Sequence, residues 1–425
     1  MSTEKNVLLI NVHSTLNGGD LALLECAALQ IEQIFGSVRL HVVSNFPFED
    51  YYTSKDWVVL PSPWWIIQQG QSPSVFRQMF SLLGGILLSI WTAIGGKISP
   101  RSKWYELFKA YQKADVVIGV AGNQFYSTGK YGWPFPVTCM SVYLAHLFDK
   151  PFYTFPQSIG PLRRWWERVL IRALYRRAKR VYVRDVVSLE LLQQLGLGTE
   201  QVKLVPDPAF AYPMGNIEEA QYILSKYGWR AGQPSIGATI ISDMGRSLRI
   251  GKVQNYYDVM ARVLERCVSE WGVQCFLFAQ VHGPTLLEDD QKACQQLVER
   301  IRPEFRQNIA FVNEEFHPTI FKACYRQLDM FLATRLHSGI FSLGSETPTV
   351  FIGYLTKTLG VMRLLGLEQF FVQIDDLTEE ILWQKVLLVW QQKDAIRLQL
   401  AQIMPKIRQQ THQTVKEIAQ DWQND

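Results

Sequence analysis

Short apolar runs of strand type recur along this chain with helical stretches between them, and that alternation constrains the fold more than any other feature. In the first half the runs fall at residues 7–12, 38–43, 116–120, 152–155, 180–183 and 202–205, with a helical pattern from 20 to about 35. They restart at 235–241 and recur at 275–279, 309–312, 330–334 and 349–352. Strands separated by helices imply βαβ units, hence parallel sheets covered on both faces. The expected fold class is therefore α/β, with two doubly wound Rossmann-like domains facing a cleft. A length of 425 residues suits two domains. The first pattern ends around 204–210 and a polar stretch follows, which places an N-terminal domain at 1–213, a C-terminal domain at 214–380 and a Gln-rich helical tail at 381–425 that packs back on the body.

A net charge of +4 gives no case for nucleic acid binding. The six cysteines lie far apart without a CxxC pair or a His at metal-ligand spacing. They read as buried thiols of a reducing cytosol, with no metal expected. The polar N-terminus leads into an apolar run at 7–10 too short for a signal peptide core, so a cytoplasmic protein is expected. Residues 78–96 complicate this, because they carry no charge and are flanked by Arg77, Lys97, Arg101 and Lys103. A buried helix, a monotopic insertion and a span compete. Gly84, Gly85, Ser81, Ser89 and Thr92 make a span the weakest, and the sequence favours an insertion of about 57–110 that contacts a membrane peripherally.

Chemistry-bearing residues collect where strands end, the place where open α/β sheets bind ligands. Thr334-Arg335-Leu336-His337-Ser338-Gly339 sets a permanent cation and a titratable imidazole two residues apart between a strand and a helix. Either an anionic ligand or a nearby carboxylate satisfies Arg335. Arg184 repeats that environment after 181–183, so one Arg from each domain is placed to clamp a dianion; the alternative partner is Asp185 or another acid. Asn17-Gly18-Gly19-Asp20 opens the first helix, with Asp20 as its expected cap. The loops 119–125, with Gly122 and Asn123, and 157–161, with Gln157, Ser158 and Gly160, follow two further strands at the same expected rim. The basic residues Arg168, Arg172, Arg176 and Lys179 form either a solvated helix face or a contact for anionic headgroups or a pyrophosphate-linked acceptor.

Read in order, Asn17-Gly-Gly-Asp20, the 119–125 loop, Gln157-Ser-Ile-Gly-Pro161, Val183-Arg-Asp185 with Ser188, Asp207-Pro-Ala209, Thr334-Arg-Leu-His-Ser338 and Ile352-Gly-Tyr354 with Lys357 resemble the polysaccharide pyruvyl transferase family, particularly its colanic-acid type. The resemblance runs from about 7 to 370 but finds no pattern over 51–109, which leaves the acceptor open. It implies a fold similar to GT-B glycosyltransferases, phosphoenolpyruvate as donor, and as acceptor a sugar of a bacterial surface polysaccharide or its polyprenyl-diphosphate-linked precursor, at the inner face of the plasma membrane. The product is then a cyclic pyruvate ketal, with no cofactor beyond the co-substrate.

That chemistry needs an acid beside a cationic clamp. His337 is the expected acid, Arg335 and Arg184 the donor ligands, and Lys357 a further phosphate ligand. Asp20, His13 and His282 are unranked candidates for the base. Two alternatives stay open: a GT-B glycosyltransferase using a nucleotide sugar, and a catalytically inactive relative that binds glycan.

Overall fold

The computed structural model describes residues 4–68, 74–127, 132–133, 135–242, 256–285, 288–353 and 356–424. By contacts the chain divides into two units, one of 1–15, 23–207 and 412–425, the other of 16–22 and 208–411. The division falls at Asp207, a few residues before the expected boundary at 213. Residues 16–22 join the second unit although they lie near the start of the chain, which no local pattern announces.

In the first unit, β1 (Lys5–Val12), β2 (Val38–Ser44), β3 (Val58–Pro61), β4 (Val116–Gly119) and β5 (Phe152–Thr154) form one parallel sheet in the order β3-β2-β1-β4-β5. The shorter β6 (Val181–Val183) and β7 (Val202–Leu204) pair separately and touch β5 through an isolated bridge between Tyr153 and Arg180. Val7, Leu8, Leu9 and Ile10 of β1 are fully buried, as a central strand covered on both faces requires. The sequence reading misses β3, a four-residue edge strand ending in a proline that cannot donate to a ladder.

In the second unit, β8 (Ser235–Thr239), β9 (Gln274–Phe278), β10 (Ile309–Val312), β11 (Met330–Ala333), β12 (Thr349–Gly353) and β13 (Phe371–Gln373) run parallel in the order β10-β9-β8-β11-β12-β13. This is the strand order of a doubly wound dinucleotide-type sheet, whose direction of growth reverses between β8 and β11. The unpredicted β13 is a three-residue edge strand.

The tail is a single helix, Glu379–Asn424, with Pro405 inside it. It is not a separate unit, because its residues from 412 onward group with the first unit. There Arg180 pairs with Asp421 (Nη2 to Oδ1 2.7 Å), while Lys203 and the Tyr182 hydroxyl donate to Glu417 at 2.8 and 2.9 Å. All six cysteines are buried free thiols, and burial pushes those of Cys275 and Cys324 up to about 12.

Candidate active site

The reversal point of the second sheet brings together the carboxyl ends of β8 and β11. At that point the Thr334 N–H donates to Thr239 Oγ1 (3.2 Å), and the Thr239 and Ser338 hydroxyls lie 2.7 Å apart. Ser338 in turn donates to the carbonyl of Arg335 (2.8 Å), and the Tyr256 hydroxyl donates to Thr334 Oγ1 (3.0 Å). These bonds fix the turn from β11 into the helix Leu336–Gly344, for which Arg335 is the N-cap residue with extended backbone. Gly339 lets that helix lie against the sheet, since a Cβ there would come within 2.1 Å of the Phe351 ring on β12.

Arg335 is not a bare cation. Its Nε donates to Asp290 Oδ2 at 3.0 Å, and Nη2 pairs with Oδ1 of the same carboxylate. Asp290 is completely buried and the Arg335 side chain is 11% exposed. A fork-to-fork pair of this kind sets the plane of the guanidinium, so the Arg arrives oriented. The sequence reading does not single out Asp290. Its signal was an acid opening the helix after the strand two places from β11, visible only once the strand order is known.

The first turn of the helix Gly18–Phe35 belongs to this site. Asn17 bridges to Val281, the Gly18 N–H donates to the carbonyl of Gln280 (3.1 Å), and the His282 N–H donates to that of Leu16 (3.0 Å). The segment is thus stitched to the loop after β9. Gly19 then lies against His337, close enough that a Cβ on it would fall 2.0 Å from Nδ1. Asn17, not Asp20, caps the helix, because its Oδ1 accepts from the N–H groups of Gly19 (3.0 Å) and Asp20 (3.4 Å). That corrects the expected cap: Asp20 sits inside the first turn instead.

Lys357, half-buried, lies in the first turn of the helix Thr356–Leu364 that follows β12, the neighbour of β11. Tyr354 lies outside the described residues. Of the base candidates, His282 belongs to the same unit as His337; Gln291 Nε2 is 3.0 Å from its Nδ1, and its buried Nε2 has no hydrogen-bond partner among the described residues. His13 is in the first unit, beside Asn45 and Phe46.

In the first unit, the loop of Gln157, Ser158 and Gly160 is sewn to the loop of Gly122 and Asn123. The Ser158 N–H donates to the Gly122 carbonyl (2.8 Å) and the Gly160 N–H to that of Phe125 (2.7 Å). Arg184 lies beneath, its Nε donating to Ser158 Oγ (2.9 Å) and its Nη1 to Asp207 Oδ2 (2.5 Å), with both ionic side chains almost wholly buried. Arg184 is thus buried and charge-compensated, with Asp207 as the acid that its alternative reading allows. Asp185 is not its partner: its carboxylate accepts from the backbone N–H and hydroxyl of Ser188 and caps the following helix. The side chain of Gln157 donates inward to the Tyr175 hydroxyl (2.8 Å). Among the described residues no group of three His, Cys, Asp or Glu is disposed to hold a metal ion.

Two Rossmann-like domains with a polar site at a strand-order reversal define a GT-B-like α/β protein. The chain belongs to the polysaccharide pyruvyl transferase family, whose pattern matches residues 17–356, and it is thereby a transferase of polysaccharide biosynthesis. It is 23% identical over 408 residues to the amylovoran biosynthesis protein AmsJ of Erwinia amylovora, covering 95% of this chain and 96% of that one. Among solved structures it resembles Anabaena Alr3699/HepE in complex with UDP and glucose (TM-score 0.60, 14% identity, 98% and 99% of the two chains). It also resembles a UDP-N-acetylglucosamine 2-epimerase assigned in Listeria monocytogenes (TM-score 0.57, 11% identity, 95% and 91%). At such identities these structures speak to the fold alone.

Proposed function

We propose that this chain transfers the enolpyruvyl group of phosphoenolpyruvate to a sugar of a bacterial surface polysaccharide or its lipid-linked precursor, closing a cyclic pyruvate ketal. The observation that carries the proposal is the contact of His337 with the backbone of Gly19 beside an Arg335 oriented by Asp290. An imidazole locked in place next to a fixed guanidinium suits a donor that must be protonated on carbon while its phosphate is held.

In the reaction His337 gives a proton to the methylene carbon, which becomes the methyl group. A sugar hydroxyl adds to the adjacent carbon and loses its proton to a base, for which His282 and Asp20 are the candidates within the second unit. Phosphate then leaves with its bridging oxygen, taking up that proton, and the second hydroxyl forms the other C–O bond. Its proton restores His337. Arg335 binds the donor's phosphate with Lys357 as a further ligand, and Arg184, held by Asp207, is assigned to the carboxylate. Gly122, Asn123, Gln157, Ser158 and Gly160 shape the acceptor side, and no cofactor enters the scheme.

The test is His337→Gln, assayed for phosphate release and for the mass gain of one pyruvyl group on a defined surface oligosaccharide. Phosphoenolpyruvate binding should persist while transfer falls by roughly 10²-fold or more. Unchanged turnover would remove His337 from the acid role. Release of nucleotide from a nucleotide sugar, with phosphoenolpyruvate inert, would replace the reading with glycosyl transfer.

A further inference from the structure

The helix Val75–Ala93 carries its apolar side outward. Phe76, Phe80, Leu83, Leu87, Trp91 and the following Ile94 recur three or four residues apart, and all are exposed, Leu87 by 68% and Ile94 by 74%. The buried side is, apart from Leu82, the polar and small one: Gln78, Gly85, Ser89 and Thr92. Soluble amphipathic helices present the opposite arrangement.

The inner face is firmly held. Gln78 accepts from Gln68 (3.2 Å) and from the indole of Trp133, and Lys103 donates to Ser81 (3.2 Å). Trp104 packs so close to Gly85 that a Cβ there would lie 2.6 Å from its ring. A helix fixed to its unit along one side does not cross a bilayer, although it is long and apolar enough to do so. Only 28% of its most apolar stretch is buried, which also excludes a core helix.

Charge selects the occupant of the outer face. Between Ser74 and Tyr105 there is no acidic residue, while Arg77, Lys97 and Arg101 are exposed at the two ends. A second helix is tied to the inner side of this one. Trp133 bonds to Gln78, and at the adjacent Gly132 a Cβ would sit 2.6 Å from Trp166, so residues 132–133 join the start of this helix to the start of the helix Trp165–Tyr175. That second helix exposes Trp165 (76%) together with Arg168, Val169 and Arg172. Its one acid, Glu167, is buried in a pair with Arg164.

We propose that these two helices form a monotopic docking face for an anionic lipid bilayer, the helix Val75–Ala93 lying in the interface with its apolar side among the acyl chains and the arginines on the headgroups. Tryptophans at the borders of an apolar stripe whose own segment, Ser74 to Tyr105, holds basic residues and no acid match such an interface and do not match a protein partner of acidic and apolar mosaic. The surface is independent of the chemistry assigned to His337, because it can be read without donor or acceptor.

The experiment is co-sedimentation of the full chain with vesicles of phosphatidylglycerol and phosphatidylethanolamine, compared with vesicles of phosphatidylcholine alone. Wild type should partition to the anionic vesicles, and Leu83→Glu/Leu87→Glu should weaken that partition by at least roughly tenfold while keeping the circular dichroism of the parent. Tyr222→Glu, an exposed position of the second unit, should bind as wild type does. Wild type remaining in the supernatant, undiminished binding by the double variant, or a stable dimer that the double variant dissociates while vesicles bind nothing, would each overturn the proposal.

Discussion

Gly19 and His337 are in backbone-to-ring contact: a Cβ on residue 19 would lie 2.0 Å from Nδ1 and 2.5 Å from Cγ of the imidazole. The two residues are more than three hundred positions apart, yet both belong to the second unit, because residues 16–22 are stitched to the loop after β9. This glycine therefore serves close approach, not backbone freedom. Gly19→Ala should displace the ring and lower turnover toward that of a His337 variant, a drop on the order of 10²-fold, since small misplacements of a reacting group carry costs of that size. Steady-state kinetics with intact circular dichroism would show it; activity within a few-fold of wild type would mean that the ring position is not critical.

Asp290 is fully buried against Arg335. Removing one partner of a buried pair leaves the other charge uncompensated at a cost of about 3–5 kcal/mol. Asp290→Ala should therefore lower the denaturation midpoint markedly, and Asp290→Asn less so, because the amide oxygen still accepts one bond. Both should weaken phosphoenolpyruvate binding through the loosened guanidinium. Urea unfolding and calorimetric titration measure the two effects separately.

Arg184 and Asp207 form the corresponding pair of the first unit, with side chains 2% and 0% exposed. Arg184→Ala alone should cost about 3–5 kcal/mol, and adding Asp207→Ala should recover much of it. With fold restored in the double variant, donor affinity should remain roughly tenfold weaker if Arg184 holds the carboxylate. Affinity equal to wild type would assign the pair to architecture alone.

The end of the long helix should loosen in acid. Hydrogen bonding from Arg180 holds Asp421 below its usual value near 3.8. For Glu417, burial acts upward, but hydrogen bonds from Lys203 and Tyr182 outweigh it and leave the group below 4.5. A carboxylate depressed in the folded state stabilises fully above its unfolded pKa and loses that contribution as pH falls through the lower folded value. The segment from 412 should therefore hold at pH 6–8 and loosen below about pH 4.5, each pair contributing about 1 kcal/mol at these partly exposed positions. Hydrogen exchange of the terminal helix across pH 7 to 3 measures this. Arg180→Ala should raise exchange at neutral pH and flatten the acid dependence.

The strands that proved easiest to read were buried runs such as 7–12, 235–241 and 330–334, where apolar content on both faces is itself the signal. The missed strands, β3 and β13, are edge strands in which a single residue is buried, so neither offers a buried apolar run. The same division runs through the site. Arg335 and His337 were visible because an ionisable pair directly after an apolar strand needs a reason. Asp290, Thr239 and Tyr256 were not, because each looks ordinary until the order of the strands sets it beside the loop after β11.

Sequence alone determined the class of fold, the strand-end positions of the reactive groups and the family, since those follow from local hydrophobic pattern and short ordered motifs. Tertiary structure decided that both arginines carry buried aspartates, that residues 16–22 serve the second unit, and that the apolar side of the helix Val75–Ala93 faces outward. Those are pairings between segments far apart in the chain. They depend on which strand lies next to which, and on which side of a helix meets its neighbour, and neither is encoded within a few residues of the groups concerned.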